Sequence, residues 1–204
     1  MQVSLNEAIL KLQAGEVVAI PTETVYGLSA DATNDAALRQ IYAIKQRPAN
    51  NPLIVHIADI SQVADWVNEF SPLAQRLAQA LWPGPFTLVL PAKTSVSHIV
   101  RANEPTVALR VPSHPLTLAL LKQSGLSLAA PSANKYTQLS PTTAAHVAMG
   151  LGEGVAVLDA SSFAAATRTS AQKSDAGISK RSTASTSRLS ITNSAAADCS
   201  WLCD

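Results

Sequence analysis

Val17-Val18-Ala19-Ile20-Pro21-Thr22-Glu23-Thr24-Val25-Tyr26-Gly27-Leu28 is the stretch from which the fold is read. Four apolar residues in a row fit a buried strand. Pro21 ends it, because proline lacks an N–H and fixes φ. Two threonines, a carboxylate and a tyrosine follow, and Gly27 frees the backbone. In open α/β sheets, ligands collect beyond the carboxyl ends of strands. The loop fits that role, and it equally fits an ordinary strand-to-loop corner with threonine turn chemistry.

Upstream, Ser4-Leu5-Asn6-Glu7 has the hydroxyl and carboxylate of a capping box. Leu5, Ala8, Ile9 and Leu12 then recur at helical spacing up to Gly15. Downstream, Asn34 or Asp35 can cap a second helix that presents Leu38, Ile41 and Tyr42 and runs out at Lys45-Gln46-Arg47-Pro48. Further strands are expected at 53–57, 86–90, 106–111, 126–130 and 155–158. Helices are expected at 61–69, 73–82, from Pro115 to about Ser124, and from Ser140-Pro141-Thr142 onward. Alternation of this kind predicts an α/β fold with a mixed, twisted open sheet and flanking helices.

Of the 204 residues, 47% are hydrophobic and 14% charged, a balance suited to a globule. No apolar run approaches the roughly 18 residues of a membrane span, and no secretory leader is read at the start. The net charge of +1 neither demands nor excludes nucleic acid. Cys199 and Cys203 are the only cysteines, so no disulfide framework exists and a reducing cytosol is expected. Their spacing, without a matching His or Cys cluster, is a poor metal motif. Residues 160–204 hold 11 Ser, 10 Ala and 5 Thr and none of the 12 prolines. The reading is a domain over 1–159 and a Ser/Ala-rich tail over 160–204, disordered or translated in a shifted frame. Resequencing the coding DNA decides the latter.

Polar groups gather at the strand ends: Thr22 and Thr24, His56, Arg110, and Ser132 with Asn134. Lys45 and Arg47 end a helix, where they can hold a polyphosphate or merely complement the helix dipole. Arg110 interrupts an apolar strand and must face solvent, a carboxylate or an anionic ligand. His56, inside a strand, is by itself an ordinary structural histidine. Neither a glycine-rich phosphate loop nor a dinucleotide fingerprint is present. No Ser/His/Asp arrangement and no cysteine nucleophile is found in the body.

Five stretches in register carry a resemblance. They are Pro21-Thr22-Glu23-Thr24-Val25-Tyr26-Gly27-Leu28; Lys45-x-Arg47-Pro48 with Asn51-Pro52-Leu53-Ile54-x-His56; Trp82-Pro83-Gly84-Pro85-x-Thr87; Val107-Ala108-Leu109-Arg110-Val111-Pro112; and Pro131-Ser132-Ala133-Asn134 with Ser140-Pro141-Thr142. Together they resemble the YrdC-type threonylcarbamoyl-AMP synthase family over roughly residues 5–159. The resemblance implies a YrdC-like open sheet with a large, positively charged concave cavity. It implies a nucleotidyltransferase that joins L-threonine, bicarbonate and ATP into threonylcarbamoyl-AMP and pyrophosphate. A transferase complex then carries the group to adenosine 37 of tRNA, making N6-threonylcarbamoyladenosine (t6A).

By the same resemblance, Thr24, His56, Arg110 and Ser132 lie on the threonine side, with Arg110 on its carboxylate. Lys45, Arg47, Asn51, Thr106, Asn134 and Thr142 hold ATP, and Lys45 and Arg47 stabilise the charge of phosphoryl transfer. Mg²⁺ accompanies ATP, no organic cofactor and no protein metal site are implied, and the location is cytoplasmic. Many family members continue past the last strand into a Glu-Ser-Thr-Val-Val-Asp-like strand whose serine joins the site. Here Ala160-Ser161-Ser162-Phe163 stand instead, and Ser182-Thr183 is followed by no apolar strand. The closing strand is therefore expected to be missing. Two other readings remain open: a non-catalytic tRNA-binding, double-stranded-RNA-binding or ribosome-associated module, and carbamoyl transfer of the kind found in hydrogenase maturation proteins.

Overall fold

The computed structural model describes residues 1–158; the tail, its cysteines and the expected loss of the closing strand lie outside the described residues. In chain order the elements are β1 (Gln2–Val3), α1 (Leu5–Gln13), β2 (Val18–Ile20), β3 (Gly27–Asp31), α2 (Asp35–Lys45), β4 (Ile54–His56), a 3-10 turn (Ile60–Gln62) and α3 (Val63–Trp66). They continue with α4 (Pro72–Leu81), β5 (Leu88–Pro91), β6 (Thr106–Arg110), α5 (Pro115–Ser124), β7 (Leu128–Ala129), α6 (Ala144–Leu151) and β8 (Ala156–Leu158). Among the described residues, no helix is long and apolar enough to cross a membrane.

The eight strands form one mixed sheet in the order β1-β8-β2-β3-β7-β4-β6-β5. The expected α/β class and mixed sheet are therefore observed. Pairings β1–β8, β8–β2 and β4–β6 are parallel, and the remainder are antiparallel. Local signals place the helices well. Ser4 and Glu7 form the full capping box of α1, and Asn34 caps α2 by accepting from the amides of Ala36 and Ala37.

Successive strand residues point to opposite faces. Ala19, Leu28, Ala30, Val55, Val107, Leu109, Ala129 and Val157 turn to one face, where they build the main core with Leu38 and Ile41 of α2. The other face carries Ile20, Leu128 and Leu158, and α1 and α5 pack against each other on this side. Further along that second face, β4 and β6 present Ile54 and His56, then Thr106, Ala108 and Arg110. His56 is the register partner of Arg110, so the two side chains leave neighbouring strands side by side.

Four differences from the sequence reading have physical causes. β1 is two residues long, too short for a period. β3 is built of small buried residues without alternation, and its Gly27 packs so closely that a Cβ there would meet the Ala130 Cβ at 3.2 Å. The helix expected over 61–69 stops at Trp66, because Val67 bridges Ala92 and the Lys93 amide donates to the Trp66 carbonyl. The last helix begins at Ala144 rather than at Ser140, capped by Thr143; the Pro141 carbonyl is already engaged by the Tyr26 amide.

Candidate active site

The polar strand-end loops do not share one end of the sheet, because the strands they follow run in opposite directions. β7 runs antiparallel to β4, so Ser132 and Asn134 leave at the end where β4 begins, whereas His56 and Arg110 stand where β4 and β6 finish. Two polar clusters result, and the loop at 21–26 touches both.

The first cluster is held by the loop at 131–141. Its backbone makes three hydrogen bonds to the threonine loop and the start of β3: Leu28 N to Pro131 O and Ala133 N to Tyr26 O, which together form the bridge between Gly27 and Ser132, and Tyr26 N to Pro141 O. It bonds to the end of α2 through Tyr136 N and the Lys45 carbonyl at 2.8 Å. Lys45 does not fray into solvent as a helix-terminal lysine usually does. It is 1% exposed, and its Nζ donates to the carbonyls of Ser132 and Asn134, the latter at 2.5 Å. Burial, aided by the charge of Arg47, lowers the Lys45 ammonium to about 8. Gln46 takes a left-handed conformation (φ +53°) at the helix end. Past that turn, half-buried Arg47 donates to the Pro52 carbonyl at 3.3 Å. Asn51 reaches the Tyr136 hydroxyl at 3.3 Å.

The second cluster centres on Arg110. Its Nη2 donates to Glu23 Oε1 at 2.7 Å, and its Nε donates to the Gly84 carbonyl at 3.2 Å. Thr117 of α5 donates to the Pro21 carbonyl and so ties that helix to the threonine loop. His56 is buried and held neutral, its imidazole pushed down to about 4 by burial first and by Arg110 second. His114 is also lowered by burial, against a smaller opposing pull from Glu23. Burial pushes Glu23 up, but the hydrogen bond and charge of Arg110 outweigh it and the carboxyl stays below its ordinary value. The backbone amides of Glu23 and Ser113 also favour its charged form.

Buried polar atoms are normally partnered, and exceptions mark places where a ligand or water is wanted. Among the described residues the unpartnered buried side-chain atoms are Glu23 Oε2, His56 Nδ1, His114 Nδ1, Ser132 Oγ and Asn134 Oδ1. All five belong to these two clusters.

The family described as Sua5_yciO_yrdC, "Telomere recombination", matches residues 11–174. The chain belongs to this family. It is 52% identical over 153 residues to the "Threonylcarbamoyl-AMP synthase" of Bacillus subtilis (strain 168), covering 74% of this chain and 44% of that protein. The solved structure "P. abyssi Sua5 complexed with L-threonine" superposes with a TM-score of 0.75 at 40% identity, over 78% of this chain and 49% of that one. Escherichia coli YciO shares the fold, with a TM-score of 0.68 at 22% identity over 78% of this chain and 81% of that one. The chain thus spans less than half the length of the Bacillus and Pyrococcus relatives.

Within this Sua5/YciO/YrdC chain, the expected site residues divide as follows. Lys45, Arg47, Asn51, Asn134 and the Ser132 carbonyl share the first cluster. His56 and Arg110 form the second. Ser132, expected beside threonine, is bonded through its carbonyl to Lys45 of the first cluster. Thr24 is exposed, its hydroxyl 3.0 Å from that of Thr22, which organises the turn by donating to Val25 O. Thr106 stands at the opposite end of β6 from Arg110, about 13 Å along the strand, near the start of β4 that follows Asn51. Thr142 is exposed, its hydroxyl 3.3 Å from His146 Nδ1. The sequence reading gave no site role to Glu23, His114, Gly84 or Tyr136. Glu23 had a signal, since a buried Arg110 requires an anion and the family motif around the threonines contains one.

Proposed function

We propose that the chain makes threonylcarbamoyl-AMP from L-threonine, bicarbonate and ATP, as its relatives' name describes. The observation that supports this best is the gathering of all five unpartnered buried polar atoms into two clusters joined by one loop. The first cluster carries Lys45 and Arg47 and suits the phosphates of ATP. The second offers one guanidinium beside one carboxylate and suits a small amino acid. One structurally similar relative is complexed with L-threonine.

In this reading the threonine amine adds to CO₂ derived from bicarbonate, forming the N–C bond of a carbamate and releasing a proton. A carbamate oxygen attacks the α-phosphorus, the bond to the β-phosphate oxygen breaks, and pyrophosphate leaves. Such chemistry needs positioning and charge neutralisation rather than a protein nucleophile. Lys45 spends two N–H groups on carbonyls and keeps one for a phosphate oxygen, while Arg47 adds a planar fork of donors. Asn51, Thr106, Asn134 and Thr142 complete the nucleotide side; Thr24, His56 and Arg110 complete the threonine side, and Ser132, held in the first cluster by its carbonyl, adds its unpartnered Oγ to the substrate groups.

Mg²⁺ fits as a companion of the nucleotide. Among the described residues no group of three His, Cys, Asp or Glu could cage a metal, so phosphate oxygens and water would hold it. Its chemistry there is to neutralise phosphate charge. The product serves t6A formation at position 37 of tRNA through a transferase complex, in the cytoplasm.

The test is pyrophosphate release from ATP and Mg²⁺, with and without L-threonine and bicarbonate. Release that requires both is expected. Absence of release from folded protein, together with salt-dependent binding of tRNA or double-stranded RNA, would replace this reading with a binding module.

A further inference from the structure

We propose that Glu23 is a positioning residue for the amino group of the amino-acid substrate: its free Oε2 receives the substrate ammonium while Arg110 receives the adjoining carboxylate. This rests on the reading of the second cluster as the amino-acid site.

A carboxylate is acceptor-only and can take about four hydrogen bonds. Glu23 spends Oε1 on Arg110, while Oε2 is buried with no partner. A buried charged oxygen left unsatisfied is costly, so a donor is wanted at that atom. The amides of Glu23 and Ser113 favour the charged carboxylate, but no group facing Oε2 makes a hydrogen bond to it. Arg110 is committed to Oε1 and to the Gly84 carbonyl, and the Nδ1 atoms of His56 and His114 are themselves without a partner.

A substrate ammonium is a donor of the charge and reach this atom takes. The cluster then carries one positive and one negative group in direct contact. An α-amino acid carries the same two charges on neighbouring atoms in the opposite order. A carboxylic acid without an amine would satisfy Arg110 but bring a second anion against Glu23. Glu23 thus selects amino acids over hydroxy acids and aims the amine.

The experiment measures binding of L-threonine and of its 2-hydroxy analogue, 2,3-dihydroxybutanoate, by calorimetry on the full chain, with the KM for threonine in pyrophosphate release alongside. Wild-type protein is expected to prefer threonine by at least about tenfold. Glu23→Gln keeps the shape, removes the charge and frees Arg110. It should weaken threonine binding, tighten dihydroxybutanoate binding and leave ATP binding unchanged. A purely structural role would weaken both ligands together. Glu23→Asp, which keeps the charge on a shorter arm, should raise the KM while preserving the preference; it carries the test should the glutamine variant not fold.

Threonine binding with an unaltered preference in Glu23→Gln overturns this proposal and leaves the synthase reading standing. For the aspartate variant, loss of the preference while ATP still binds overturns it. Wild-type protein that binds ATP but neither acid overturns both.

Discussion

The Nζ of Lys45 lies 2.5 Å from the carbonyl oxygen of Asn134, 89 positions further along the chain. Lys45 is among the largest fully buried side chains of the described residues, and a second carbonyl, that of Ser132, shares its ammonium. One lysine therefore clamps the 132–134 loop and, in the proposed function, also supplies charge to the nucleotide. Structural and chemical roles are joined in it, which separates it from Arg47 two residues on.

Lys45→Ala should cost both stability and activity. Two buried carbonyls lose their donor, and a lost partner of this kind costs about 1–3 kcal/mol. Arg47 is half-buried and bonds to carbonyls of its own loop, so Arg47→Ala should change stability by about 1 kcal/mol or less while still removing most pyrophosphate release. Urea unfolding and turnover, measured on both variants, check the contrast. Equal destabilisation by the two would show that Lys45 is not the clamp.

Lys45 also gives stability and activity opposite pH dependences. Burial lowers its ammonium to about 8 from an ordinary 10.5. Between those values the unfolded chain binds more protons at this residue than the folded one, so its contribution to stability rises with pH. Over the same window the folded protein loses the ammonium charge, which in the proposed function meets phosphate, so ATP affinity should fall. ATP binding from pH 7 to 9.5 should weaken above about pH 8, and Lys45→Arg should abolish that break. A flat profile in the wild type would remove Lys45 from phosphate binding.

Much of this was legible in the residues. The capping box at Ser4, the cap at Asn34 and the run at 17–20 are local signals, and local signals place α1, α2 and β2 closely. What escaped is what depends on partners distant in sequence. β3 is a strand because β2 and β7 flank it, not because Gly-Leu-Ser-Ala-Asp favours extended structure. Lys45 read as a helix-end cation for a polyphosphate or for the helix dipole, not as a buried clamp, because its acceptors lie nearly ninety residues away. The antiparallel course of β7 sends Ser132 and Arg110 to different ends of the sheet, and no pattern of apolar residues reveals strand direction. The charge of Arg110 did require an anion, and Glu23 supplies it.

Gly84 is a site where a single methyl group should separate threonine from ATP binding. A Cβ there would stand 2.6 Å from the Leu81 carbonyl oxygen, a backbone atom that cannot swing aside. The Gly84 carbonyl accepts from Arg110 Nε and its amide donates to the Val111 carbonyl. Gly84→Ala must shift this turn and tilt the guanidinium. The expected result is a higher KM for threonine, about tenfold or more if the Arg110 contact is lost, with ATP binding retained. Unchanged threonine kinetics in a folded variant would mean that Arg110 is oriented by Glu23 alone.

His56 should make the domain acid-sensitive above the range where carboxylates titrate. Its imidazole is pushed down to about 4, by burial first and by Arg110 second, against 6.5 in an unfolded chain. As pH falls from 6.5 towards 4, the unfolded state takes up a proton that the folded state refuses, so stability declines across that window. A shift of this size corresponds to about 3 kcal/mol. His114 is lowered in the same direction and adds to the decline. Glu23, held below its ordinary value by Arg110 against the push of burial, extends the loss below its unfolded value of 4.5. Urea midpoints from pH 7.5 to 4.5 should fall steeply below 6.5 in the wild type. They should fall less in His56→Gln and least when His114→Gln is added. An identical slope in all three would show that the charge is taken up elsewhere and that His56 is protonated in the folded domain.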